Sequence, residues 1–486
     1  MRRRMLLSAG LLWGLSLGAH ANSQTDWDVI VVGSGTAGLC AGISARESGA
    51  HRVLIVEKLP MVGGHGIVSS GSVALAMRRP ETDNPRRDLD AMMNEMRKVG
   101  GDAADPELIR TLVEESESAV KWLEALGVRW NHHFFRAVSS LTPRNISTGS
   151  AQAGYDYVQA LVRRAKALGI VFRLNTRAVQ IAQENGRITG LYVQTMDTPE
   201  KTRALPETLP EALSGDFLST RALILATGGF SANPRMRQQW DPSIPEDLPT
   251  TANPKKVLLD GATGDGVLLA QRVGAALTGM PYIQVIPFSG GRLLDYVGGE
   301  IWIDDDGQRF IDEGMPFQQL RERLTHEQRR GFWAISDSQT RKGASLSAKL
   351  MEGTVKKAQT LDELAKGIRI PIAKLRATLD RWNRSVVQGY DEQFQHPLRG
   401  TSIEVPPFFY GRETWSVHFT CGGVRINSEA AVLTDDGTPI LGLFAAGEVT
   451  GGIHGKDRLG GNAMTDTFVF GRRAGRFAAQ YFQKAS

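Results

Sequence analysis

The stretch Asp28–Glu57 limits what this chain can fold into more than any other. Asp28-Val-Ile-Val-Val-Gly33 is a β-branched run ended by glycine, the pattern of a parallel strand buried on both faces. Gly33-Ser-Gly35-Thr-Ala37-Gly38 follows and opens a helix-like stretch to Gly49, after which Arg52-Val-Leu-Ile-Val-Glu57 reads as a second strand. Each glycine has a mechanical task. Gly33 makes the turn, Gly35 lets backbone approach a pyrophosphate, and Gly38 lets helix pack on strand. The helix start offers amide donors to phosphate, with Ala37 in its first turn. Glu57 lies 19 residues past Gly38, where an acid meets a ribose hydroxyl, and Lys58 is beside it. Strand, glycine motif, helix, strand and acid together predict an α/β dinucleotide-binding domain; a glycine-rich turn in an unrelated α/β domain is the alternative.

Composition narrows the class. The 486 residues include 53 glycines and 2 cysteines, with 41% hydrophobic and 22% charged residues. The chain is long enough for two or three domains. Two cysteines exclude a disulfide framework, and no Cys cluster or Cys-x-x-Cys-His offers an iron–sulfur or c-type haem site. Cys40 and Cys421 read as buried free thiols. Arg2-Arg-Arg4, an apolar run from Met5 to Ala19 and Ala19-His-Ala21 have the anatomy of a bacterial secretory signal over residues 1–21, loosely of twin-arginine type. A membrane anchor is the alternative reading, but the run is short for a spanning helix. The net charge of +5 falls to +2 without those three arginines, and no basic stripe with interleaved aromatics suggests nucleic acid. The mature chain is expected to be periplasmic and to have no membrane span.

Further along, Gly63-Gly64-His65 and Ser70-Gly71 follow the acid. A second buried strand ends in Ala226-Thr227-Gly228-Gly229, and a third segment ends in Ala445-Ala-Gly447-Glu448. This set resembles the flavoproteins with two dinucleotide-binding domains, which spread FAD along several strand ends. Thr263-Gly-Asp265-Gly266, Gly307-Gln-Arg309-Phe310-Ile-Asp-Glu313, His418-Phe-Thr-Cys-Gly-Gly423 and Gly447-Glu-Val-Thr-Gly-Gly-Ile-His-Gly-Lys-Asp-Arg458-Leu-Gly-Gly-Asn462-Ala463-Met464 are more specific. They resemble the flavoprotein family of succinate dehydrogenase and fumarate reductase. That family includes soluble periplasmic fumarate, urocanate and other enoate reductases, and related 3-ketosteroid dehydrogenases.

The resemblance implies a Rossmann-like FAD domain over 26–283 and 414–486, interrupted by an α+β capping domain over 284–413. It implies FAD, with a backbone contact to the adenine near Val179. It also implies reduction of an activated C=C bond in a small unsaturated acid. Arg458 would clamp the carboxylate and His418 would bind it. The family's proton donor is a cap arginine, eight residues after the Arg of Arg-Phe-x-x-Glu in the soluble members; here that position is Phe317. A longer spacer, as in the membrane complexes, selects Arg321, with Glu322 to reload it, and Arg323 is the other option. Arg321, Arg323, Arg329 and Arg330 also read as a solvated helix face. His65 matches the spacing of the histidine bound covalently to flavin in the membrane complexes, or else it hydrogen-bonds FAD.

Two family features have no counterpart. The His-Pro pair reads Ile286-Pro287, and the Glu-x-x-Arg proton relay is missing, with Tyr296 near its arginine. Ile286, Phe288 and Tyr296 favour an apolar or aromatic substrate end, since an unpaired buried carboxylate costs about 3–5 kcal/mol. With no haem or iron–sulfur motif, the electron donor is expected to be external, a cytochrome or quinol-linked protein. A dehydrogenase of a ketosteroid-like or tricarboxylate substrate, and a flavin-binding electron relay without turnover, are the rival readings.

Among the remaining elements, Asp105–Leu126 and Tyr155–Gly169 read as amphipathic helices. Asn185-Gly186 between apolar alternations signals a hairpin. Pro199–Ser214 reads as a loop, and Trp382 and Trp415 as core residues.

Overall fold

The computed structural model describes residues 26–76, 85–150, 152–196, 215–253, 259–288, 290–294, 296–326, 331–342 and 346–485. The signal at 1–21, the loop from 199 to 214, and Arg329 and Arg330 lie outside the described residues.

The first βαβ unit forms as its sequence dictates. β1 (Val29–Val32), α1 (Thr36–Glu47) and β2 (Val53–Val56) are in place, and both strands are buried along their whole length. They lie in a nine-stranded sheet whose central path runs Val171–Arg173, β2, β1, Leu223–Leu225, Pro439–Ala445 and then the hairpin of Arg187–Thr195 with Thr176–Glu184. The first five strands are mutually parallel. Their carboxyl ends therefore share one edge, and the strand order reverses at β1, where α/β sheets bind ligands. α1 packs against the C-terminal helix Asn462–Ala485 and so covers one face. The hairpin turns at Asn185 and Gly186, both with positive φ of 50° and 75°, as Asn-Gly predicts. The amphipathic helix spans Pro106–Ala125, with the Asp105 side chain accepting from Glu107 N–H at its start.

A second core lies in the segment from 301 to 413. Ile301–Ile303, Phe332–Ser336, Phe408–Glu413 and Lys356–Ala358 form an antiparallel sheet. With the helices Leu361–Ile368 and Ile372–Gln388, it encloses Ile301, Ile335, Leu375, Leu379 and Trp382, apart from the core of the main sheet. Arg309 of the Arg-Phe-x-x-Glu motif is buried, bonded to Glu313 at 2.7 Å and to Asp391 at 2.8 Å, and stacked on Trp382. Its partners hold it in a buried pair of salt bridges. The chain enters and leaves this segment through one antiparallel ribbon, Ile283–Pro287 against Trp415–Thr420. A third apolar cluster, including Val138, Ile286, Phe310, Phe317 and Phe332, joins the two cores.

Candidate active site

A cavity of about 1540 Å³ lies at the carboxyl ends of the parallel strands and continues under the 301–413 segment. Gly33, Gly35, Ala37, Glu57, Lys58, Gly64, His65, Ser70, Ala226, Thr227, Gly228, Asp265, Glu448, Ala463 and Met464 all border it, as do His418 and Arg458. The glycines have the tasks their spacing suggests. A Cβ on Gly35 would meet nothing within 4 Å, so this backbone faces open space. A Cβ on Gly38 would stand 2.0 Å from Gly33 O, so only glycine lets α1 close on the turn. Gly38 is thus internal and does not line the cavity. Glu57 is fixed there by Ser34 N–H (2.9 Å), Ser34 Oγ–H (2.7 Å) and Leu59 N–H (2.8 Å).

Next to Glu57, Asp265 accepts from Lys58, Arg177 and Thr263 at 3.2, 3.2 and 2.8 Å. Burial lowers the Lys58 pKa, against the opposing pull of Asp265. Four further residues expected at the cofactor lie off the wall. Val179 is not on the cavity wall; its carbonyl accepts from Arg272 at 3.4 Å, and its neighbour Ala178 borders the space. Gly71 lies behind the wall, its carbonyl taking the Tyr157 hydroxyl at 2.7 Å. Gly447 is packed against Ala37. Asn462 is also absent from the wall. It begins the C-terminal helix and is buried, with both side-chain amide atoms lacking a hydrogen-bond partner among the described residues.

These features fit a dinucleotide. An open glycine backbone, a helix start behind it, a fixed acid and an orphaned buried amide satisfy what pyrophosphate, ribose and flavin require.

At the other end of the cavity, Arg458 is buried beside the Phe419 ring at 4.9 Å. It donates to Leu459 O at 2.8 Å, while its Nε has no partner among the described residues. His418 Nδ1 lies 3.2 Å from Thr251 Oγ1. Burial, with the charges of Arg458, Arg292 and His65, holds the His418 pKa well below the usual imidazole value, so the ring is neutral. His65 Nε2 is 2.8 Å from Asp260. Burial pulls the His65 pKa down, but the Asp260 bond and charge outweigh it and raise it. Glu448 accepts from Thr420 N–H at 2.9 Å, and burial raises its pKa.

The residues expected from the inserted segment are placed differently. Phe317 borders the cavity, with its ring 6.2 Å from that of His418. Arg321 does not: its guanidinium reaches Asp241 at 3.1 Å and Ser243 at 2.7 Å. Phe317 and Leu320 fix the inward face of the helix Phe317–His326, and Arg321, one residue on, is rotated away. Arg323 is exposed. Arg292 and Lys349 line the cavity unforeseen; Trp415 packs against two of the apolar clusters, as expected of a core residue, and also borders the cavity. The two cysteines are free and buried.

Among the described residues, no helix is long and apolar enough to cross a membrane. The FAD-binding domain family matches residues 28–464. The chain is 34% identical over 482 residues to a urocanate reductase of Eggerthella lenta, covering 94% of this chain and 75% of that one. It is 32% identical over 471 residues to a cytochrome-type fumarate reductase of Shewanella frigidimarina, covering 94% and 78%. Its fold is similar to the open conformation of a flavocytochrome c3 fumarate reductase, with a TM-score of 0.67 and 30% identity over 94% of this chain and 78% of that one. Cavity, glycine cradle and family agree: the chain belongs to this FAD-binding family and is an FAD-dependent oxidoreductase acting on CH–CH groups.

Proposed function

We propose that the protein reduces the activated C=C bond of an unsaturated carboxylate whose other end is apolar or aromatic. The observation that carries this reading is the asymmetry of the cavity. Arg458 offers a buried guanidinium with an unpartnered Nε, while Ile286, Phe288, Phe317 and Trp415 border the same space with hydrocarbon. A guanidinium suits a carboxylate, and rings suit an apolar substituent.

The residues that would hold FAD are Gly33, Gly35 and Ala37 for the pyrophosphate and Glu57 for a ribose. Lys58, Ala178 and Asp265 would flank them. Ala226, Thr227, Gly228, Gly64, His65, Ser70, Glu448, Ala463 and Met464 would face the rest of the cofactor. Reduced FAD supplies the hydride for such a reduction. Arg458 binds the carboxylate and stabilises negative charge that develops on it. Neutral His418 holds the same group by a hydrogen bond and leaves Arg458 as the cation. The apolar wall excludes water.

On this reading, residues 284–413 act as the cap, swinging on the ribbon at 283–287 and 415–420. Electrons come from an external cytochrome or quinol-linked protein, in the periplasm. The test is anaerobic reoxidation of the reduced protein by a panel of fumarate, urocanate, cinnamate, acrylate and 3-ketosteroids. Fast reoxidation by an enoate with an aromatic or apolar end is expected. Failure of every enoate would remove the proposal.

A further inference from the structure

His418 stands out of its strand. In the ribbon of Ile283–Pro287 against Trp415–Thr420, Gln284 lies opposite Phe419 and Val285 opposite Val417, so His418 is an extra residue with no partner across the ladder. Such a bulge re-aims a side chain, and bulges cluster beside active sites. Here the ring borders the cavity and meets the loop that carries Thr251. That loop is pinned next to the bulge. Val417 N–H donates to Pro249 O and Thr251 N–H donates to Val417 O, both at 2.9 Å. The hydroxyl of Thr250 donates to Asp260 at 2.7 Å. Thr251 Oγ1 then lies 3.2 Å from His418 Nδ1, 3.0 Å from Ser416 Oγ and 3.3 Å from Val417 O. Ser416 is buried, and its other acceptor among the described residues is Ile286 O at 3.4 Å. Among the described residues, the contact with Thr251 is the one hydrogen bond of the His418 ring, so Nε2 is left to a ligand.

Two placements of hydrogen satisfy these distances, and they give the cavity opposite chemistry. With the ring proton on Nδ1, the imidazole donates to Thr251 Oγ1, and Nε2 shows a bare lone pair that repels a carboxylate. With the ring proton on Nε2, Thr251 donates to Nδ1, and Nε2–H becomes a donor. The hydroxyl pair favours the second. Ser416 O–H has its shorter contact with Thr251 Oγ1, which gives that oxygen a donor and leaves its own hydrogen for Nδ1. Val417 O, the competing acceptor, already takes the Thr251 N–H. Burial and the charges of Arg458, Arg292 and His65 keep the ring from holding both protons.

We propose that Thr251, backed by Ser416, is a positioning residue that fixes His418 as the Nε2–H tautomer, so that the neutral ring donates to a substrate carboxylate. The carboxylate rests on the enoate-reductase reading above, whereas the tautomer is a property of the protein without substrate. The pair of hydroxyls thereby sets which chemical group the cavity accepts beside Arg458: an acceptor such as a carboxylate, and not a hydroxyl donor.

The test is ¹⁵N NMR of the FAD-loaded full chain, labelled at histidine, with His418→Gln to identify the His418 signals. Couplings between ring nitrogens and ring protons distinguish the tautomers. The wild type is expected to show Nε2 protonated and Nδ1 bare. Thr251→Val keeps the shape and loses the hydroxyl. It should mix the two tautomers and weaken binding of a saturated acid, 3-phenylpropanoate, by about 3–10-fold in calorimetry, the worth of one hydrogen bond. KM for the enoate should rise more than kcat falls. Thr251→Ser should restore both tautomer and affinity. A wild-type His418 protonated at Nδ1 would overturn the proposal, and that result needs no Thr251 variant to fold. So would a Thr251→Val protein with unchanged spectrum and affinity. Failure of every enoate to reoxidise the reduced protein would count against the enoate reading and not against the tautomer.

Discussion

On the side of the main sheet, the cavity is bordered by several stretches of bare or nearly bare backbone. Gly33, Gly35, Ala226–Gly228 and Gly460–Gly461 leave room for a ligand by having little side chain or none. On the cap side, it is bordered by side chains whose places depend on partners far along the chain: Arg292 and its loop are tied to Glu413 and Lys349. The first wall is specified locally, by glycine spacing. The second is specified by buried charge and sets what the cavity can do to a substrate.

The sharpest break lies behind the first wall, at Gly38→Val. Its Cβ would meet backbone 2.0 Å away, which no rotamer can relieve. Loss of folded, flavin-containing protein is expected, measured as the flavin-to-protein absorbance ratio. Arg458→Gln probes the chemistry between the walls. It should keep FAD and lower kcat/KM by about 10²–10³-fold, as expected when a buried charge contact to substrate is truncated. Steady-state kinetics with the best enoate checks it.

Smaller effects come from the His65–Asp260 pair. The Asp260 pKa is held down: burial alone would raise it, but its bonds to His65, Thr250 and Ala262 prevail. Its stabilisation is present above the ordinary carboxyl value and is lost as pH falls. The His65 pKa is raised, so its share is present below the ordinary imidazole value and is lost as pH rises. Both act together between about pH 4 and pH 6.5. Asp260→Asn should lower the melting temperature most in that window. Burial raises both thiol pKa values, so Cys40 and Cys421 should resist alkylation until the protein unfolds, as read by mass spectrometry. The smallest effect is expected of Arg321→Gln. Its partly exposed pair with Asp241 is worth about 0–1 kcal/mol, and turnover should stay near wild type. A large loss of turnover would return Arg321 to the site.

The same contrast explains what could be read from the sequence. The βαβ unit, the Asn-Gly hairpin and the strand-end glycines are local patterns, and each forms where its residues lie. Arg458 and His418 were expected from segments rich in glycine, and both border the cavity. Arg321 was misplaced because the face a helix turns inward depends on what Phe317 and Leu320 pack against. Ala178, the neighbour of Val179, is the residue of that strand pair that borders the cavity. Arg292 sits in an irregular run between glycines, and nothing local marks it; its place on the cavity wall depends on Glu413 and Lys349, which hold its loop from far along the chain.

The central claim is that this cavity saturates the double bond of an unsaturated acid. The most direct measurement is the identity of the product. Chemically reduced protein is incubated anaerobically with the enoate that reoxidises it fastest, and the acid is recovered for NMR and mass spectrometry. The account predicts the saturated acid, with one hydrogen added at each former alkene carbon and in proportion to the flavin oxidised. Recovery of unchanged enoate from flavin that has been reoxidised would contradict it.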